Sequence, residues 1–155
     1  MDLMDAALRE LSHLSKSNFT ASSLWRSQPV DCPPGSLDFI NAVCCFIPGD
    51  SESPESLLAK LQGLEKAFGR TPKAVFNEPR RLDLDLIGFR QERRDTPALR
   101  LPHPRAHQRR FVLAPLSELG PDWVLPGWTK TVCGYLSHLP DPAASIQKID
   151  GIGPG

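Results

Sequence analysis

Two aspartates one residue apart, Asp83 and Asp85, stand in the run Leu82-Asp83-Leu84-Asp85-Leu86-Ile87. Leucine and aspartate alternate there, the period-2 pattern of a strand with one buried face. Leu82, Leu84 and Leu86 then face a core, and both carboxylates face the other way. Two like charges about 7 Å apart at Cα, from a rise of ~3.4 Å per residue, repel unless a cation lies between them. Magnesium fits such a pair, because it takes hard oxygen ligands and completes its shell with phosphate oxygens. Arg80 and Arg81, immediately upstream, suit the same phosphates. The plainer reading is an amphipathic edge strand with a solvated acidic face, and the pattern alone leaves both open.

The elements that must position this pair follow from similar patterns. Met4, Ala7, Leu8, Leu11 and Leu14 form an apolar stripe at helical spacing, with Asp2 and Asp5 in its N-terminal turn. Phe19 to Trp25 is rich in β-formers and reads as a strand. Pro29, Pro33, Pro34 and Gly35 exclude a helix over residues 27–36. Residues 37–47 read as one strand, apolar on both faces and therefore central in its sheet. Asn41 is its polar exception, and a buried amide needs partners, whether a neighbouring backbone or a ligand. Ser53 suits an N-cap, and Pro54 suits the first position of a helix anchored by Leu57, Leu61, Leu64 and Phe68 and ended by Gly69. Gln62 and Glu65 share one flank of that helix, ordinarily a solvated one. A loop follows over 70–77, and Arg90, Arg93 and Arg94 mark a solvated turn after the aspartate strand. Pro115 is tolerable only in a first turn, which places the start of a short helix over 112–119 near Leu113. Residues 132–139 read as a last helix. One domain over 1–139 is expected, with a disordered Gly/Pro-rich tail over 140–155.

Three further clusters follow the aspartates: Leu101-Pro102-His103-Pro104-Arg105, then Arg109-Arg110-Phe111-Val112-Leu113, then Pro115-Leu116. Together with Pro79-Arg80-Arg81 and the alternating run, this set closely resembles the 6-hydroxymethyl-7,8-dihydropterin pyrophosphokinases of folate biosynthesis. The resemblance extends from about Met4 to about Leu139. It implies ATP-dependent transfer of a pyrophosphoryl group to the pterin hydroxymethyl group, releasing AMP. It implies Arg80, Asp83, Asp85 and Arg109 as catalytic residues, with Asp83 and Asp85 holding two Mg2+ ions. For ATP it implies Arg70, Arg80, His103 and Arg109, with Gln62 and Glu65 lining the nucleotide. For the pterin it implies Val30, Phe39, Asn41 and Phe111, the last offering a flat apolar face for stacking.

The implied fold is α+β: a ferredoxin-like sandwich with a mainly antiparallel sheet. Its first strand, and the Gly-Ser-Asn turn after it, are expected to be missing ahead of Met1. In that topology the absent strand would lie between the strand of Asp83 and Asp85 and the strand of Phe39 and Asn41. Other departures are Phe76 in place of a basic residue, Glu78 in place of glycine or alanine, and Pro72 in place of arginine. Each lowers the positive charge near the polyphosphate. The alternative is therefore a catalytically weak or inactive homologue that still binds pterin or nucleotide.

Composition narrows the choice. A chain of 155 residues suffices for one domain with a core. Net charge is zero, which argues against a general nucleic-acid or membrane binder. Residues 70–110 nevertheless hold eleven Lys/Arg against five Asp/Glu, while residues 1–69 hold five against nine. The basic segment contains the aspartate pair, as a polyphosphate site requires. A ferredoxin-like RNA-binding module would need a basic, aromatic sheet face, where this chain has two aspartates. Cys32, Cys44, Cys45 and Cys133 show no C-x-x-C spacing and read as reduced thiols. With no signal peptide and no membrane-length apolar run, a cytoplasmic location is expected. The expected partners are ATP and hydroxymethyl-dihydropterin, with no nucleic acid and no membrane, and the chain is expected to be a monomer.

Overall fold

Ser53 and Ser56 open the longest helix in the computed structural model, which describes residues 3–27, 39–69, 82–140 and 146–149. The Ser56 N–H donates to Ser53 Oγ at 3.0 Å, and the Ser53 N–H donates to Ser56 Oγ at 2.9 Å. This reciprocal cap satisfies two donors that a helix start leaves open and contributes about 1 kcal/mol. The helix runs Pro54–Gly69 (α2) and buries Leu57 and Leu61. An amphipathic helix over Leu3–Ser12 (α1) buries Ala7 and Leu11 and packs against α2. Both belong to one compact unit, Met1–Phe19 with Phe46–His103. A short antiparallel hairpin, Arg94–Asp95 (β5) with Arg100–Leu101 (β6), belongs to the same unit. Arg94 Nε donates to Glu55 Oε2 at 2.6 Å and joins that hairpin to the first turn of α2.

The second unit comprises Thr20–Cys45 with Pro104–Gly155. Its sheet has the strand order Phe39–Asn41 (β3), Trp25–Ser27 (β2) and Ile146–Lys148 (β7), antiparallel throughout. Helices Arg110–Leu119 (α3) and Val132–His138 (α4) pack together over a core of Leu113, Leu116 and Val132. Glu118 joins α3 to the sheet: its two carboxylate oxygens accept from the Ser23 N–H and from Trp25 Nε1, both at 2.8 Å. Gly120, just after α3, is dictated by close approach, since a Cβ there would lie 2.0 Å from the Trp123 ring.

Both strands expected near the start of the sheet are broken in the middle. The first is Ser15–Ala21 (β1) followed by β2; the second is β3 followed by Cys44–Pro48 (β4). β1 pairs with β4, while β2 pairs with β3. At the break the Ser22 N–H donates to the Val43 carbonyl at 2.7 Å, and the Val43 N–H donates to Ser22 Oγ at 2.9 Å. Residues 22–24 and 42–43 lie between the two pairings and belong to neither.

Three further expectations are corrected. Residues 82–87 keep the alternation, with Leu82 buried and Asp83 and Asp85 exposed, but form no ladder among the described residues. Alternation fixes which face is buried; a sheet strand also needs a partner backbone, which alternation does not specify. The helix placed near Leu113 begins at Arg110, so Pro115 lies inside it. Leu113 and Leu116 are buried, and at about 1.5–3 kcal/mol for each large side chain they offset the ~3 kcal/mol of an interior proline. Three residues of the supposed disordered tail form β7. The architecture is α+β, with antiparallel, open sheets and helices.

Candidate active site

In the first unit the aspartates sit on a segment held by its backbone. Leu82 and Phe89 bury its two ends, and Asp83 and Asp85 lie exposed on one side. The Leu84 N–H, between the two aspartates, donates to Glu65 Oε2 of α2 at 2.7 Å. Two residues beyond Asp85, the Ile87 carbonyl accepts from the His103 N–H at 2.8 Å. Two hydrogen bonds thus tie the backbone of the aspartate segment to the Glu65 side chain and to the backbone at His103. Gln62 is exposed on α2, one helical turn before Glu65.

The second unit holds the aromatic and amide groups. The pairing Ser27↔Phe39 and Trp25↔Asn41 puts these four side chains on one face of the sheet. Trp25 reaches α3 through Glu118, so this is the face that α3 adjoins. Phe39 is 56% exposed, unusually open for a phenylalanine. Asn41 Nδ2 donates to Ser27 Oγ at 3.0 Å. Arg109 precedes α3 in extended conformation, and its carbonyl accepts from the N–H groups of Val112 and Leu113. Its guanidinium lies 5.4 Å from the ring centre of Phe111, a cation–π contact that orients both side chains.

The family model for 7,8-dihydro-6-hydroxymethylpterin-pyrophosphokinase matches residues 1–121. The chain belongs to this family. A 2-amino-4-hydroxy-6-hydroxymethyldihydropteridine pyrophosphokinase of Synechocystis is 36% identical over 139 residues, covering 90% of this chain and 69% of that protein. The enzyme of the same name from Haemophilus influenzae is 37% identical over 128 residues, 81% of this chain and 77% of its own. That of Pseudomonas aeruginosa is 32% identical over 154 residues, 96% of this chain and 88% of its own. The α+β architecture agrees with the ferredoxin-like fold implied for the pyrophosphokinase family.

Within this member of the pyrophosphokinase family the residues divide by unit. Gln62, Glu65, Asp83, Asp85 and His103, expected at metal and nucleotide, belong to the first. Phe39, Asn41, Arg109 and Phe111 belong to the second. Val30, Arg70 and Arg80 lie outside the described residues, as do the departures Pro72, Phe76 and Glu78. Among the described residues no group of three or more His, Cys, Asp or Glu side chains gathers as a metal-ligand set. Two exposed carboxylates on one face suit an ion that keeps most of its shell from water and phosphate, as Mg2+ does. Sequence reasoning missed Ser27, which fixes Asn41. The available signal was its spacing: two strands meeting near Trp25 would bring a small hydroxyl opposite the aromatic that precedes Asn41. No helix among the described residues is long and apolar enough to cross a membrane.

Proposed function

We propose that this chain transfers a pyrophosphoryl group from ATP to the hydroxymethyl group of 6-hydroxymethyl-7,8-dihydropterin, releasing AMP. The observation that carries this reading is the family match over residues 1–121, together with the exposure of both aspartates of its most specific motif on one side of one segment. The hydroxymethyl oxygen bonds to the β-phosphorus, the bond from that phosphorus to the bridging oxygen of AMP breaks, and the hydroxyl proton leaves to solvent. Asp83 and Asp85 would hold two Mg2+ ions. Bound there, Mg2+ would neutralise the polyphosphate and polarise its phosphoryl oxygens. Arg109 and His103, with Arg70 and Arg80, would hold phosphate oxygens, while Gln62 lines the nucleotide. Phe39 and Phe111 supply flat apolar faces for the pterin, and Asn41 reads its polar edge. With no covalent intermediate, positioning and electrostatics carry the reaction.

The test is AMP formation from ATP, followed with and without the pterin. Pterin-dependent AMP release that Asp83→Ala abolishes supports the proposal. A folded chain that binds both compounds and forms no AMP overturns it, and would make the protein a binding homologue instead.

A further inference from the structure

We infer that Glu65 is a positioning residue: its carboxylate holds the Leu84 amide and thereby sets the direction in which Asp83 and Asp85 project. The inference rests on the proposed role of the two aspartates as metal ligands. Along a strand the direction of each side chain is fixed by the backbone, and the backbone of residues 82–89 has no ladder among the described residues to fix it. Glu65 supplies one of the missing acceptors from a helix. Its Oε2 lies 2.7 Å from Leu84 N, the peptide nitrogen midway between the two carboxylate-bearing residues. At the other end, the His103 N–H bonds the Ile87 carbonyl at 2.8 Å, so Asp85 lies between two anchored points. α2 is a rigid mount for this contact, because its start is capped by Ser53 and its inner face is buried through Leu57 and Leu61.

Two other roles for Glu65 fit less well. As a third metal ligand it would form a set with Asp83 and Asp85, and no such set exists among the described residues. As a nucleotide contact it would have mainly its second oxygen to offer, since Oε2 is engaged by a backbone donor. A hydrogen bond to a charged acceptor is among the stronger ones, so its loss should be large enough to read.

The experiment compares the unaltered chain with Glu65→Ala and Glu65→Gln, the latter keeping a carbonyl acceptor. Amide hydrogen exchange is followed by NMR on the metal-free protein, and kcat and the KM for ATP are measured in the presence of Mg2+. Glu65→Ala is expected to speed exchange at Leu84 about tenfold or more. Leu113 and Val132, in the core of the other unit, should stay unaffected. In the same variant kcat should fall about tenfold with the KM for ATP changed less than twofold, and Glu65→Gln should restore most of both losses. Unchanged Leu84 exchange in Glu65→Ala overturns the inference. So does a raised KM for ATP at constant kcat in both variants, the mark of a nucleotide contact. If Glu65→Ala fails to fold, the unaltered chain still decides, since rapid exchange at Leu84 would mean that the bond is not held in solution. Failure of the metal assignment would look different: Asp83→Ala would stay active while Leu84 exchange still depended on Glu65.

Discussion

Asn41 Nδ2 donates to Ser27 Oγ at 3.0 Å, across two antiparallel strands whose register sets Trp25 opposite Asn41. The hydroxyl takes the amide nitrogen and so decides which way the amide carbonyl points. Asn41→Ala should cost pterin binding about 1–3 kcal/mol, the usual penalty for an unmet polar group. Ser27→Ala should cost about 1 kcal/mol, because the amide survives but loses its fixed orientation. Phe111→Ala should also weaken pterin binding. Calorimetric titration of each ligand separately checks this, and an equal loss for ATP would count against a pterin pocket.

Asp83 and Asp85 are exposed while Leu82 beside them is buried. Replacing either aspartate with alanine should therefore remove a ligand without touching the core. Turnover is expected to fall by at least about 100-fold, a loss of roughly 3 kcal/mol in transition-state stabilisation. The melting temperature should move by no more than about 2 °C. Near-normal turnover from a folded variant would remove these residues from the mechanism.

Glu118 holds the sheet to α3 through two donors, and its carboxyl is held below the usual range. Partial burial opposes that shift, but hydrogen bonds from Ser23 and Trp25 and the nearby Lys148 outweigh it. A depressed folded pKa means stability that is complete above the unfolded value and lost as pH falls through the folded one. Glu118→Ala should lower stability at neutral pH by about 1–3 kcal/mol. It should also flatten the acid limb of the stability profile, which Glu52 and Glu55, likewise lowered by hydrogen bonds, still supply in part. Denaturant melts from pH 7 to pH 3 would test both, and an unchanged acid limb would contradict the assignment.

Cys44 and Cys133 should differ in reactivity for a physical reason. Burial, and then the neighbouring Cys45, push the Cys44 thiol up to about 11, while Cys133 is exposed. At pH 8 roughly one Cys44 thiol in a thousand is ionised, and the thiolate is the nucleophile. Brief maleimide labelling of the native chain, read by peptide mass spectrometry, should modify Cys133 and spare Cys44. Rapid modification of Cys44 would show that β4 opens readily.

The start of α2 was fully legible, because Ser53, Pro54 and the leucine spacing are local signals. So was the buried side of the Asp83 segment, since period-2 alternation states it directly. What could not be read was pairing. Residues 37–47 are apolar on both faces, and nothing in that pattern says that the chain changes partners at Val43. That exchange depends on Ser22, some twenty residues earlier, supplying both an amide and a hydroxyl. Pro115 misled for a similar reason. Its helix cost is local and visible, whereas the burial of Leu113 and Leu116 that outweighs it is tertiary. Ser27 has only its spacing to mark it, and that becomes decisive only once β2 and β3 are in register.

The third strand of the β3-β2-β7 sheet bears on how the protein could be handled. The family match ends at residue 121, and a chain trimmed near Leu139 would keep every helix described above. It would also strip β7 from β2, removing the strand that now stands opposite Trp25, Arg26 and Ser27 and freeing the Leu24 carbonyl that accepts from the Ile149 N–H. An open strand edge of this kind recruits whatever backbone it meets, including another copy of itself. A shortened protein could thus keep its chemistry on paper and be lost to self-association in the tube.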